Sequence, residues 1–126
     1  MKKIKNTPNA PAPIGPYNQA VLSGNTLYVS GQIPMDPSSG KLIEDDIKKE
    51  TLQCMKNLKA ILEAADMSFE DVVKATIFVK DMNCFAAINE VYGSFFNAET
   101  APARETVEVS NLPKFVNVEI SMIAVR

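Results

Sequence analysis

The chain has 126 residues, of which 46% are hydrophobic, and a formal net charge of −2. This length predicts one domain with its own core, spanning residues 1–126. The acidic balance argues against a nucleic-acid-binding protein, and the absence of histidine excludes Ser-His-Asp and Cys-His nucleophiles, HExxH zinc sites and paired-histidine ribonuclease chemistry.

The first residues do not predict a targeting segment. Met1–Lys5 has the positive charge of a signal peptide, but polar residues 6–9 follow where an apolar run is required. No apolar stretch reaches the length needed to span a bilayer. We therefore expect a cytoplasmic protein that binds neither membranes nor nucleic acid.

The first third of the chain predicts extended structure and one hairpin. Four prolines make residues 6–16 non-helical. Short apolar runs at Ala20–Ser23 and Thr26–Ser30, separated by Gly24-Asn25, are typical of a β-hairpin. Residues 30–40 are rich in Gly, Pro and Ser, and predict a long connection with turns.

A helix and a strand are predicted next. Residues at three-and-four spacing form one helical face: Ile47, Thr51, Cys54, Met55, Leu58, Ile61, Leu62 and Ala65. Asp45 or Asp46 can cap the N-terminus of this helix. Residues 68–71 predict a turn, and Val72–Lys80 a strand. One face of that strand is expected to carry Val73, Ala75, Ile77 and Val79.

The last third predicts a second helix and two strands. Asp81 or Asn83 can begin the helix. Its apolar face consists of Phe85, Ile88, Tyr92, Phe95 and Phe96. Strands are predicted at Arg104–Val109 and Val116–Val125. Helices separated by strands and hairpins favour an α+β fold in which two helices cover one face of a sheet.

Arg104 is the only arginine in the interior of the sequence, since the other is the C-terminal Arg126. A guanidinium can bind a carboxylate through two parallel hydrogen bonds, which a lysine cannot reproduce. Arg104 therefore predicts an anion-binding site at the beginning of a strand. The alternative is a structural ion pair with Glu105, Glu108 or Glu119.

Other polar residues interrupt the apolar pattern. Asn89 lies on the apolar face of the second helix, where its amide needs partners or a polar cavity. Glu119 is predicted to share a strand face with Ser121. Its strand is expected to be an antiparallel neighbour of the Arg104 strand, so that Glu119 can reach Arg104 or a bound water. The alternative is that Glu119 is a solvated side chain. Gly31 lets a ligand approach its backbone N–H.

The two cysteines predict neither a metal site nor a redox site. Cys54 and Cys84 are far apart in sequence and form no CxxC motif. Cys54 lies on the apolar face of the first predicted helix, and Cys84 at the beginning of the second. We interpret both as structural residues.

A series of motifs along the chain resembles one family: Ile14-Gly15-Pro16-Tyr17-Asn18-Gln19-Ala20, Leu27-Tyr28-Val29-Ser30-Gly31-Gln32-Ile33-Pro34, Asp36-Pro37, Pro102-Ala103-Arg104, Val107-Glu108-Val109, Leu112-Pro113-Lys114, Glu119-Ile120 and Ile123-Ala124-Val125. In this order and at this spacing the chain resembles the Rid family (RidA/YjgF, the reactive intermediate deaminases), in its arginine-containing subgroup. The resemblance implies a chorismate-mutase-like α+β fold with a mixed β-sheet, and a homotrimer with ligand clefts between subunits.

The resemblance also implies an activity and a site. Such members hydrolyse 2-aminoacrylate, 2-iminopropanoate and related 2-imino acids to 2-oxo acids and ammonia, without a metal or cofactor. Arg104 would bind the substrate carboxylate, Glu119 would position or deprotonate water, and Tyr17 would close the pocket. The remaining cleft positions are Ser30, Gly31, Asn89 and Thr106. Thr106 replaces a cysteine that many members carry, so we expect it to contribute a backbone N–H, and no thiol chemistry.

Two other functions stay open. One is a non-catalytic trimer that senses 2-oxo acids through the same arginine. The other is a ribonuclease or translation inhibitor, an activity of some family members that the acidic charge and missing histidine disfavour.

Overall fold

The computed structural model describes residues 1–126 as six strands and two α-helices. The strands are β1 (Lys2–Lys5), β2 (Ala20–Ser23), β3 (Thr26–Gln32), β4 (Val72–Val79), β5 (Ala103–Glu108) and β6 (Val118–Val125). The helices are α1 (Ile47–Ala64) and α2 (Phe85–Gly93). One sheet contains all strands in the order β1-β2-β3-β6-β4-β5. Only β4 and β5 are parallel, so the predicted mixed sheet and α+β class are confirmed.

The strand order explains why both helices cover one face of the sheet. β3 and β4 both run antiparallel to β6, so they are parallel to each other, and α1 connects them. α2 connects β4 to its parallel neighbour β5. Both connections advance in the same direction across the sheet. Because such crossovers are almost always right-handed, they place their helices on the same face.

The two faces of the sheet differ in composition. The helix face is apolar, and its side chains pack with those of α1 and α2 in one core. Leu58 of α1, Ile77 of β4 and Ile120 of β6 are at most 1% exposed. The opposite face, here called the open face, has no helix over it. Its central side chains are Tyr28, Thr76, Phe78, Glu119, Ser121 and Ile123.

Helix α1 follows its predicted face and cap. Asp46 is the N-cap, and its carboxylate accepts hydrogen bonds from the backbone N–H groups of Lys48 and Lys49. These bonds satisfy two of the donors that every helix leaves unpaired in its first turn. Asp45 precedes the cap with a φ of 64°, so of the two predicted capping residues only Asp46 has this role.

Helix α2 is shorter than predicted. Asp81 caps a 3-10 turn at Met82–Cys84, and α2 begins only after it. Phe95 and Phe96 lie beyond the helix end at Gly93, although both pack against the core. Neither helix combines the length and the apolar composition needed to cross a membrane. No three His, Cys, Asp or Glu side chains converge as a metal site.

Three predictions about the strands are wrong. β5 and β6 are not neighbours, because β4 lies between them. Val73 is not on the buried face but 49% exposed, since the β4–β6 register shifts between Val72 and Lys74. β6 begins two residues later than predicted, because Pro113–Phe115 forms a 3-10 turn. β1 was not predicted, because its lysines obscure an edge strand that pairs with β2.

Candidate active site

Arg104 extends from the edge strand β5 toward helix α2. It lies in register with Ala75 of β4, which is fully buried on the helix face. Its Nη1 donates a 2.7 Å hydrogen bond to Oδ1 of Asn89. Asn89 is exposed at this end of the contact and not buried on the apolar face of α2 as predicted, so its amide has no need of a partner; what its side chain does is orient one nitrogen of the guanidinium.

Two aromatic rings of α2 also contact the guanidinium. The Cζ atom of Arg104 lies 5.0 Å from the ring centroid of Tyr92 and 5.6 Å from that of Phe85. Both distances are within the range of cation–π attraction. The helical periodicity of the sequence predicts only a core role for both aromatics. The signal for their second role was their spacing from Asn89, which places all three on one face of the helix.

No carboxylate pairs with Arg104. Glu105 forms a salt bridge with Lys74, and Glu108 accepts a hydrogen bond from the backbone N–H of Met82. Glu119 lies on the open face. The alternative of a structural ion pair is therefore wrong within this chain, and the guanidinium keeps donors available for an anion.

Thr106 shares the helix face with Arg104, two residues further along β5. Its Oγ1 is buried and has no hydrogen-bond partner, and the same is true of the hydroxyl of Tyr92. Buried polar atoms without partners are rare in folded proteins. We call Arg104, Asn89, Thr106, Phe85 and Tyr92 the arginine half-site.

Glu119 lies on the open face of β6, between β3 and β4. Phe78 is its direct partner on β4. On the other side β3 has a bulge, in which Ser30 and Gly31 oppose the single residue Ser121. A Cβ atom on Gly31 would lie 2.7 Å from Cδ of Glu119, so the carboxylate packs directly on the glycine backbone.

The surroundings of Glu119 change its acidity. Desolvation raises the pKa of its carboxyl above the ordinary value of 4.5. Phe78 on one side and the bulge on the other limit the access of water. A carboxylate of raised pKa is a better proton acceptor near neutral pH than an exposed one.

Tyr17 and Ser30 lie near Glu119 in the fold. Tyr17 and Gly31 line the same small cavity, of about 30 Å³. The hydroxyl of Tyr17 accepts a 3.3 Å hydrogen bond from the N–H of Ile14, which leaves its proton free to donate. The hydroxyl of Ser30 donates to the carbonyl of Asn18, so it holds the loop before β2. We call Tyr17, Ser30, Gly31 and Glu119 the glutamate half-site.

The two half-sites do not meet within one chain. Arg104 is level with Ala75, whereas Glu119 is level with Phe78, three residues further along β4. From standard strand spacings the two Cα atoms are roughly 14 Å apart. The side chains also leave opposite faces of the sheet, so a small ligand cannot touch both in one protomer.

The sequence and fold match known proteins over nearly their full length. A family profile described as endoribonuclease L-PSP matches residues 7–126. The chain belongs to the YjgF/RidA family. A RutC family protein of Pyrococcus horikoshii is 55% identical over 124 residues, covering 98% of each chain.

Two further Rid relatives carry more specific descriptions. The 2-iminobutanoate/2-iminopropanoate deaminase of Salmonella typhimurium is 50% identical over 128 residues, covering 100% of this chain and 99% of that protein. The crystal structure of E. coli TdcF with bound serine matches this fold with a TM-score of 0.92. The two sequences are 45% identical, and the match covers 98% of each chain. This chain is thus similar to proteins with several different descriptions.

Proposed function

We propose that this Rid protein is an enamine/imine deaminase, which hydrolyses 2-aminoacrylate, 2-iminopropanoate and related 2-imino acids to 2-oxo acids and ammonia. The observation that carries the proposal is Arg104, whose guanidinium on the edge strand β5 is positioned by Asn89 and paired with no carboxylate. The full-length similarity to a deaminase of Salmonella typhimurium supports the same substrate class.

The arginine half-site would bind the substrate carboxylate. Asn89 uses one N–H of Nη1, and the guanidinium has four further donors. Two parallel hydrogen bonds from these donors fit a planar carboxylate. Such binding orients the imine carbon without taking part in bond making.

The glutamate half-site would activate the attacking water and transfer protons. Glu119 accepts a proton from water while the water oxygen bonds to the imine carbon, and the C=N π electrons move to nitrogen, which takes a proton from the Tyr17 hydroxyl. In the collapse of this carbinolamine, Glu119 returns its proton to the amino nitrogen and the carbinol O–H proton passes back to Tyr17, so the C–N bond breaks and ammonia and a 2-oxo acid are released. Tyr17, whose hydroxyl proton is free, can donate to the developing intermediate. 2-Aminoacrylate first becomes the imine by taking a proton at C3 and losing one from its amino group.

The two half-sites would be completed by different copies of the chain. Their separation and opposite directions within one protomer support this arrangement. We propose a homotrimer in which the open face of one copy meets the arginine half-site of the next. Light scattering at micromolar concentrations should then give the mass of a trimer, whereas a stable monomer would contradict the proposal.

A complementation experiment tests site and activity together. Arg104→Ala and Glu119→Gln chains should each lose turnover of an imine generated in a coupled assay. If the two are unfolded together and refolded as mixed trimers, about a quarter of the clefts should combine an intact Arg104 with an intact Glu119. Activity should return to about that fraction of wild type. Mixed trimers that stay inactive would contradict a site shared between copies.

A non-catalytic sensor of 2-oxo acids is the second candidate. The arginine half-site alone accounts for carboxylate binding, so it favours this function equally. Wild-type protein that binds 2-oxobutanoate but hydrolyses no imine would establish the sensor. Salt-dependent binding of RNA would instead favour the nuclease to which the family description refers.

A further inference from the structure

Three residues of α2 surround the guanidinium of Arg104 from one side. Phe85, Asn89 and Tyr92 follow each other at spacings of four and three residues, so they lie on one face of the helix. Asn89 binds Nη1, and the two rings lie within 5.6 Å of Cζ. The helix therefore restrains both an edge and a face of the guanidinium.

Of the two rings, that of Tyr92 is the more firmly held. Tyr92 is only 5% exposed, whereas Phe85 is 39% exposed. The Tyr92 ring centroid lies 4.8 Å from that of Phe96, and Phe96 packs edge-on against Phe69 at 5.4 Å. A ring fixed by such neighbours gives the guanidinium a rigid surface.

The buried hydroxyl of Tyr92 has no hydrogen-bond partner within the chain, so no such bond accounts for a tyrosine at this position. Desolvation raises the pKa of this phenol, so the ring stays neutral at physiological pH. The interaction that remains is between the ring and the cation. A phenylalanine ring could supply it equally well, because the attraction comes from the π face.

We propose that Tyr92 is a positioning residue, whose ring holds the guanidinium of Arg104 in the orientation that presents its free N–H groups to a carboxylate. Without the ring, the long arginine side chain would sample other rotamers, and binding would have to restrict them. The part concerning ligand binding rests on the proposed function. The orientation of the guanidinium does not.

The chain offers a direct probe of that orientation, since it has only two arginines. Its NMR spectrum therefore contains two Nε–H signals, from Arg104 and Arg126. Arg126 donates through Nη1 to the carbonyl of Ala65 and is not stacked on an aromatic ring, so it provides an internal reference. In the wild type the Arg104 signal should show a ring-current shift and restricted motion.

Tyr92→Leu and Tyr92→Phe separate the ring from the hydroxyl. In Tyr92→Leu the Arg104 signal should lose its ring-current shift and become mobile, while the Arg126 signal is unchanged. Binding of 2-oxobutanoate, measured by calorimetry, should weaken about 5- to 30-fold. KM for an imine should rise by a similar factor with little change in kcat. Tyr92→Phe should keep the ring-current shift and the restricted motion of the Arg104 signal, because it retains the ring.

Two more variants address loss of packing. Phe95→Leu removes a ring that contacts Phe69 at 5.3 Å but is not stacked on Arg104. It should lower the melting temperature and leave the Arg104 signal unchanged. If Tyr92→Leu does not fold, Phe85→Leu takes its place and should give a smaller change in the same direction, because Phe85 is more exposed.

The proposal is overturned if folded Tyr92→Leu leaves the Arg104 signal and 2-oxobutanoate binding unchanged. It is also overturned if Tyr92→Phe has the full effect, because the hydroxyl would then be responsible. Wild-type protein that hydrolyses no imine would refute the proposed function only. The NMR comparison would still decide whether Tyr92 orients Arg104.

Discussion

The two half-sites hold their functional groups in different ways. The arginine half-site surrounds a cation with side chains, namely one amide and two aromatic rings. In the glutamate half-site the carboxylate packs on the backbone of Gly31, where any larger residue would place a Cβ atom too close to it. A positive charge is thus stabilised by added contacts, whereas the carboxylate is made more basic by loss of water.

This difference predicts that changes in the two half-sites separate chemistry from binding. Changes at Glu119 and Gly31 should act on kcat, and changes at Arg104 mainly on affinity and KM. The following experiments test that separation, beginning with the largest expected effect.

Glu119→Gln keeps the shape of the side chain but removes the proton acceptor. Loss of a general base typically lowers a rate by about 10²- to 10⁴-fold. We expect this loss in kcat, with nearly unchanged affinity for 2-oxobutanoate. Steady-state kinetics and calorimetry on the same preparation measure both. Equal losses in rate and affinity would assign Glu119 to binding or to the fold.

Arg104→Lys keeps the charge but removes the planar pair of donors. A hydrogen bond to a charged group contributes about 1.5–3 kcal/mol, so losing one should lower kcat/KM about 10- to 150-fold. Circular dichroism and oligomer mass should be unchanged, because Arg104 makes no ion pair that holds the fold. A lysine variant with wild-type turnover would show that bidentate binding is not required.

Gly31→Ala should displace the Glu119 carboxylate. The new Cβ would lie 2.7–2.9 Å from Cδ, Cγ and Oε2 of that side chain. Since the obstructing group is the end of a flexible side chain, the fold should survive while the carboxylate moves. Misplacement by about 1 Å can cost up to about 100-fold in rate. A variant with full kcat would mean that the position of the carboxylate is not critical.

Stability should also report the environment of Glu119. Burial raises its pKa in the folded state, so between the ordinary and the raised value the folded chain binds more protons than the unfolded chain. The free energy of unfolding then falls as pH rises through that window. The melting temperature of Glu119→Gln, relative to wild type at equal concentration, should therefore increase from about pH 4 to about pH 7. A difference that does not vary with pH would exclude desolvation as the cause.

The smallest effect on turnover is expected at the cysteines, which belong to neither half-site. Cys54 is fully buried, and desolvation raises its pKa well above the ordinary value; desolvation also raises that of Cys84. Both thiols are therefore protonated at neutral pH and poorly nucleophilic. The double variant Cys54→Ala, Cys84→Ser should keep its kcat and lose about 1 kcal/mol of stability from the buried site. Inactivity of the folded double variant would reveal thiol chemistry.

The parts of the fold that depend on local patterns were predictable. The face and cap of α1 follow from 3.6-residue periodicity and from Asp46, and the β2–β3 hairpin follows from two short apolar runs separated by Gly24-Asn25. Val73 was predicted on the wrong face because a single shift in register between strands reverses the direction of a side chain. That shift depends on the partner strand, which the local sequence does not contain.

The site divides in the same way. The sequence alone determined which groups are available: one interior arginine, an asparagine predicted on an apolar helix face, a glutamate within a strand and a glycine that lets a ligand approach the backbone. Only the tertiary structure decided that β4 separates Arg104 from Glu119, that the two side chains leave opposite faces, and that Tyr92 and Phe85 contact the guanidinium. The physical reason is that strand order is set by burial of the whole sheet against α1 and α2, to which distant segments contribute together.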